Sequence, residues 1–159
     1  MVADTLGNIA PDCHPGIRAL ADYWRRIHPA SGLPGRQHFD PVDLPDLLPN
    51  IFLVDVSPVA GEFTYRLVGS RVAEFFGKDL TGQSFLEAFA RPKSANAYID
   101  LCDCVATRQP RWRRGKTAFV PSREFTEIER VYLPLASDGE TVDMVLGMML
   151  VRFPGGAFR

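Results

Sequence analysis

The segment VDMVLGMMLVR at residues 142–152 decides the fold. At the two-residue period of a strand, one alternating set is Val142, Met144, Leu146, Met148 and Leu150, and the other is Asp143, Val145, Gly147, Met149 and Val151. Both sets are apolar apart from Asp143, so the strand needs cover on both faces and belongs in the middle of a sheet. The run is also only about half of the roughly 20 apolar residues that span a membrane, which excludes a transmembrane helix here.

Just upstream, Ser137-Asp-Gly-Glu140 is a strong hairpin signal, and it ties this strand to another over Thr126 to Ala136. A third strand is predicted over Arg111 to Val120. Before it, Ala95, Tyr98, Ile99, Cys102 and Val105 mark the apolar side of a long helix that starts at Pro92, reaches about Arg108 and is ended by Pro110. Two short helices precede it, one capped by Ser70 and stopped at Gly77, the other over Ser84 to Ala90. Two more strands, Ile51 to Ser57 and Phe63 to Val68, are joined by a short link; the second alternates, with Phe63, Tyr65 and Leu67 on one face. At the front, Ile17, Leu20, Ala21, Trp24 and Ile27 recur at helical spacing, while prolines at 34, 41, 45 and 49 break the following connector into turns.

The chain has 159 residues, 46% hydrophobic and 23% charged, with 18 basic against 19 acidic side chains. That composition fits one globular domain with its own core. A net charge of −1 argues against the broad basic surface that binds nucleic acid. The first twenty residues lack a basic start followed by an apolar block, so no secretory signal is read and a cytoplasmic location is expected. Three cysteines form no paired framework, in keeping with a reducing compartment.

Two strands, several helices and three antiparallel strands, in that order, resemble a PAS sensor domain. Phe63-Thr-Tyr-Arg-Leu-Val-Gly69, Leu80-Thr-Gly82 and Leu133-Pro-Leu135 followed by Asp138-Gly139 are similar to landmarks of that family. The N-terminal part, with Trp24-Arg25, Leu33-Pro-Gly-Arg36, Phe39-Asp-Pro41 and Leu44-Pro45, resembles the single-domain bacterial PAS proteins that carry no output module. The resemblance implies an α+β fold, a five-stranded antiparallel sheet with helices on one face. The N-terminal amphipathic helix would cover the other face or form a homodimer interface. The expected division is a mobile leader over 1–12, a helix and proline-rich connector over 13–50, a PAS core over 51–153 and a tail over 154–159.

The resemblance names no cofactor, because domains of this fold bind different small molecules or none. Haem-binding members usually supply a histidine from the long helix, and here His14, His28 and His38 all precede the first strand. Cys102 or one of these histidines would have to serve a haem-based sensor, and no flavin-adduct motif is present. No metal site is read from the aspartates at 40, 43, 46 and 55, whose spacing lacks the glycine and glutamate of a calcium loop. No nucleophile elbow, phosphate loop or zinc motif appears, so the chain is read as non-catalytic. The competing reading is a small enzyme such as a hot-dog-type thioesterase, with Asp100 or Asp103 as its carboxylate. The basic run Arg111-Trp-Arg-Arg-Gly-Lys116 is read as a solvated edge strand.

The expected function is therefore a sensory or regulatory module that binds a small molecule, a signalling partner or both, and signals through changed association. Its pocket would be lined by Tyr65, Phe75, Phe85, Tyr98, Cys102, Tyr132 and Met148, with Arg66 as anchor for an anionic ligand or partner. Ile17, Leu20, Trp24 and Ile27 would form the interface.

Overall fold

In the computed structural model, which describes residues 8–88, 95–116 and 126–159, five antiparallel strands form one sheet in the order β2-β1-β5-β4-β3. The strands are β1 (Ile51–Val56), β2 (Phe63–Val68), β3 (Arg111–Lys116), β4 (Glu127–Leu135) and β5 (Met144–Arg152). As its double-sided apolar pattern requires, β5 lies in the middle, paired with β1 and β4. The helices are α1 (Pro15–Arg26), α2 (Ser70–Phe76), α3 (Phe85–Ala88) and α4 (Asn96–Thr107). The expected starts of the long helix at Pro92, the end of the short helix at Ala90 and the end of the third strand at Val120 lie outside the described residues.

Helices α2, α3 and α4 cover the inner face, and α1 covers the outer face of its own sheet. Ile17, Leu20 and Trp24 are fully buried there and Ile27 is half-buried, so these side chains already have their apolar partners within one chain. The Trp24 indole donates to Pro134 O at 3.0 Å. Pairing between β3 and β4 stops at Arg111 and Tyr132, so Pro134 lies beyond that ladder and its carbonyl is open to the indole. A Cβ at Gly16 would stand 2.9 Å from Met148 Cε, which puts Met148 beneath the start of α1.

Three local expectations are corrected. The register of β1 against β2 passes from Leu53–Leu67 to Val54–Tyr65, leaving Arg66 as an extra residue in a bulge. The bulge turns Leu67, expected beside Phe63 and Tyr65, to the other face, where it is 44% exposed. The N-cap of α2 is Gly69 rather than Ser70, since Gly69 is extended and Ser70 already opens the helix; a Cβ at Gly69 would come within 2.4 Å of Leu48 O. On α4 the inward face is Ala97, Asp100, Leu101 and Cys104, with Ile99 43% exposed and Cys102 only half-buried. The helix is rotated from its expected setting because Asp100 is drawn inward by two arginines.

The ends of the described chain are packed as well. Ile9 is buried and Asp12 pairs with Arg114 at 3.1 Å, although residues 8–12 were expected in a mobile leader. The last residues fold back, and Arg159 and Val151 exchange two backbone hydrogen bonds of 2.9 Å.

Candidate functional site

Strand β4 brings charge to both faces of the sheet. Arg130 and Tyr132 point inward, where Tyr132 Oη donates to Ala97 O of α4 at 3.1 Å. Glu129 points outward. Both charges are buried, Glu129 at 0% exposure and Arg130 at 3%, so each needs a partner on its own side.

Inside, Asp100 of α4 supplies that partner. Its carboxylate accepts from Arg113 Nε at 2.6 Å and Nη2 at 2.8 Å, a two-point clasp, and from Arg130 Nη2 at 2.5 Å. The Arg130 guanidinium also lies over the Tyr132 ring, 4.6 Å from its centre. Its Nε is buried and has no hydrogen-bond acceptor among the described residues. Arg130 borders a small void of about 20 Å³, lined otherwise by Phe52, Tyr65, Val72, Phe76, Phe85, Ala97, Tyr132 and Met149. That volume is about the room one water needs. The void is therefore lined by one cationic side chain among aromatic and aliphatic ones.

Burial sets the chemistry of the surrounding groups. It pushes the Tyr132 hydroxyl up to about 12 and holds Tyr65 well above its ordinary value, with the nearby Arg130 charge working in the opposite direction on both. Both phenols keep their protons at neutral pH. Burial also raises the Cys104 thiol to about 12, which leaves little nucleophilic thiolate.

Of the residues expected to line a pocket, Tyr65, Phe85 and Tyr132 line this void. Tyr98 stands behind it: its ring packs on Phe63 and Phe85, and its hydroxyl donates to Gly61 O at 2.9 Å. The other four lie elsewhere. Arg66, in the bulge, faces outward and pairs with Asp55 at 3.6 Å in solvent. Phe75 is buried beside Asn50 and Arg71 in a separate groove, while Phe76 reaches the void. Cys102 lies off the inward face of α4, and Met148 is on the outer face where Met149 is on the inner. In a strand apolar on both sides, alternation alone does not say which set is interior.

Sequence reasoning missed Arg130, Phe52 and Met149 at this site, and it gave Asp100 and Arg113 other roles, as a competing enzyme carboxylate and as part of a solvated strand. Arg130 had a readable signal, since it stands beside the apolar run Val131-Tyr-Leu133 in a central strand. The basic run on β3, expected to be solvated, is half-buried over Arg111–Gly115. Arg113 serves Asp100 within, while Arg114 donates to Glu129 Oε2 at 3.1 Å outside. Glu129 also accepts from Trp112 Nε1 at 3.0 Å and from the backbone N–H of His14 at 2.7 Å, which ties the start of α1 to the sheet.

The three histidines serve local roles. His14 Nδ1 accepts from Gly16 N at the head of α1, His38 Nδ1 accepts from Gly35 N, and the His28 ring lies edge-on to Trp24. Asp100, the candidate enzyme carboxylate, is held by its two arginines, and Asp103 is exposed. No helix among the described residues is long and apolar enough to cross a membrane.

Neither a curated protein nor a solved structure matches the chain. The family model described as a PAS domain matches residues 13–150, nearly the whole sequence. With its five-stranded antiparallel sheet and inner helices, the chain belongs to the PAS domain family.

Proposed function

We propose that this protein is a non-catalytic sensory or regulatory module that binds a small molecule between its inner helices and the sheet. The observation that carries this reading is the aromatic-walled void lined by Arg130, a buried cationic side chain whose Nε has no acceptor among the described residues. Ligand sites commonly join an apolar wall to a few convergent polar groups. Output leaves through association, either with a second copy or with a signalling protein, in the cytoplasm.

Native mass spectrometry of the purified protein tests this reading. A reproducible added mass is expected, and it is lost when Ala97→Phe fills the void. Sedimentation of loaded and stripped protein then reads the change in association. A ligand-free mass, together with no thermal shift across a small-molecule library, would overturn the binding half of the proposal and leave an interaction module.

A further inference from the structure

We propose that the groove at the C-terminal end of α1 is a docking surface for an acidic segment of another protein, held by Arg25 and Arg26. This rests on the reading that output leaves through association, and goes on to name the surface and the partner's chemistry.

The groove measures about 550 Å³ and is lined by the end of α1 and by residues 28–32. Asp22 is the one carboxylate lining it among the described residues, set against the guanidiniums of Arg25 and Arg26. Pro29 and Ala30 give it an apolar side.

Both arginines are exposed, and neither forms an ion pair with a described residue. The arginines that serve the fold differ in this respect, since Arg113, Arg114 and Arg130 each meet a buried carboxylate. The end of α1 therefore carries positive charge that the fold itself leaves unanswered.

Arg26 is also held in place, its guanidinium lying over the buried Tyr23 ring 5.7 Å from the centre. Tyr23 meets Phe39 edge-on at 6.0 Å, and the exposed Arg36 lies over Phe39 at 5.4 Å while donating to Phe39 O at 2.8 Å. Two joined rings thus position two exposed guanidiniums, which reduces the ordering cost of binding an anion. The nearby carboxylates are occupied locally. Asp43 accepts from Tyr23 Oη at 2.9 Å, and Asp40 Oδ1 accepts from Val42 N at 3.0 Å. In the last turn Arg25 and Arg26 complement the helix dipole, but the dipole does not account for Arg36.

Charge selects the partner. A second copy across a two-fold axis would set these arginines against their own counterparts. A polynucleotide needs a longer basic track than three arginines interspersed with Asp22, Asp40 and Asp43 supply. Carboxylates of a different protein complement the surface, and arginine is enriched in such interfaces.

The test titrates the unaltered protein with a fluorescein-labelled peptide, Glu-Leu-Asp-Glu-Leu-Glu, and with its uncharged counterpart, Gln-Leu-Asn-Gln-Leu-Gln. Anisotropy is read at low salt and at about 150 mM. The acidic peptide is expected to bind saturably and to weaken with salt, with the uncharged one weaker by about tenfold or more. Arg25→Glu combined with Arg26→Glu is expected to abolish binding. Should that variant fail to fold, Arg25→Gln with Arg26→Gln is expected to weaken binding by about tenfold and decides in its place. Equal binding of the two peptides, binding that survives the charge reversal, or no saturable binding of the acidic peptide would each overturn the inference. Tighter binding of a single-stranded oligonucleotide through the same arginines would overturn the choice of partner. Sedimentation in which the charge reversal dissociates a dimer would assign the face to a second copy and overturn it as well. None of these measurements touches the interior void, so the small-molecule reading stands or falls separately by native mass spectrometry.

Discussion

Glu129 and Arg130, adjacent in β4, send buried charges of opposite sign to opposite faces of the same sheet. Across the ladder, Arg114 is paired with Glu129 and Arg113 with Arg130. Because strand side chains alternate, the two arginines of β3 also face opposite ways. Arg114 meets Glu129 outside, and Arg113 meets Asp100 of α4 inside. One edge strand thereby fastens the N-terminal segment on one face and α4 on the other.

Asp100→Asn strips two arginines of their counterion, one of them deeply buried. The expected loss is about 3 to 5 kcal/mol by urea unfolding, because an uncompensated buried charge remains. Replacing the buried pair together, as Asp100→Leu with Arg130→Met, is expected to restore much of it. A double variant no more stable than Asp100→Asn would show that the orphaned charge is not the cause.

Glu129→Gln is expected to cost about 2 kcal/mol or more, since Arg114 loses its buried partner. The His14 N–H loses its carboxylate acceptor too. Hydrogen exchange at the first turn of α1 should therefore quicken more than exchange in β5. Unchanged exchange there would mean that the head of α1 is held by its apolar face alone.

Alkaline pH is expected to unfold the protein early. Cys104 and Tyr132 hold their protons to about 12 in the folded chain, against ordinary values of 9.0 and 10.0. Between those limits the unfolded chain has released protons that the folded chain keeps, so stability falls as pH rises. The Tyr132 contribution is on the order of 3 kcal/mol, complete below about pH 10 and lost by about pH 12. Urea midpoints at about pH 8, 10 and 11 measure the slope. Tyr132→Phe should flatten it above about pH 10, at the cost of about 1 kcal/mol near neutrality for the hydrogen bond to Ala97. An equal slope in the variant would assign the alkaline loss to other groups.

Gly147 faces Phe52 across the ladder, and a Cβ there would stand 2.2 Å from ring carbons. The ring cannot retreat freely, since Tyr65 and Tyr132 lie edge-on at 6.2 and 6.0 Å. Gly147→Ala is expected to cost about 1 to 3 kcal/mol by overpacking and to alter the cavity wall. Thermal unfolding with an unchanged midpoint would show that Phe52 has another place to go.

Much of the architecture was legible because it rests on local periodicity and turn chemistry. The doubly apolar pattern of residues 142–152 placed β5 in the centre, and Ser137-Asp-Gly-Glu140 placed its hairpin with β4. The stripe of Ile17, Leu20 and Trp24 marked α1 as a cover. Tyr65, Phe85 and Tyr132 were found as cavity residues because large aromatics on alternating or helical positions point where the core is.

Only the tertiary structure decided the rest. A two-residue period says that Met148 and Met149 face opposite ways, but which one is interior depends on where α1 and α4 settle. The bulge at Arg66 reverses Leu67 through a register shift that no local pattern records. Above all, hydrophobic periodicity treats an aspartate as solvent-facing, and Asp100 turns inward because Arg113 and Arg130, distant in the chain, meet it there. Local sequence determines which residues share a face; long-range charge pairing and packing determine which face becomes the inside.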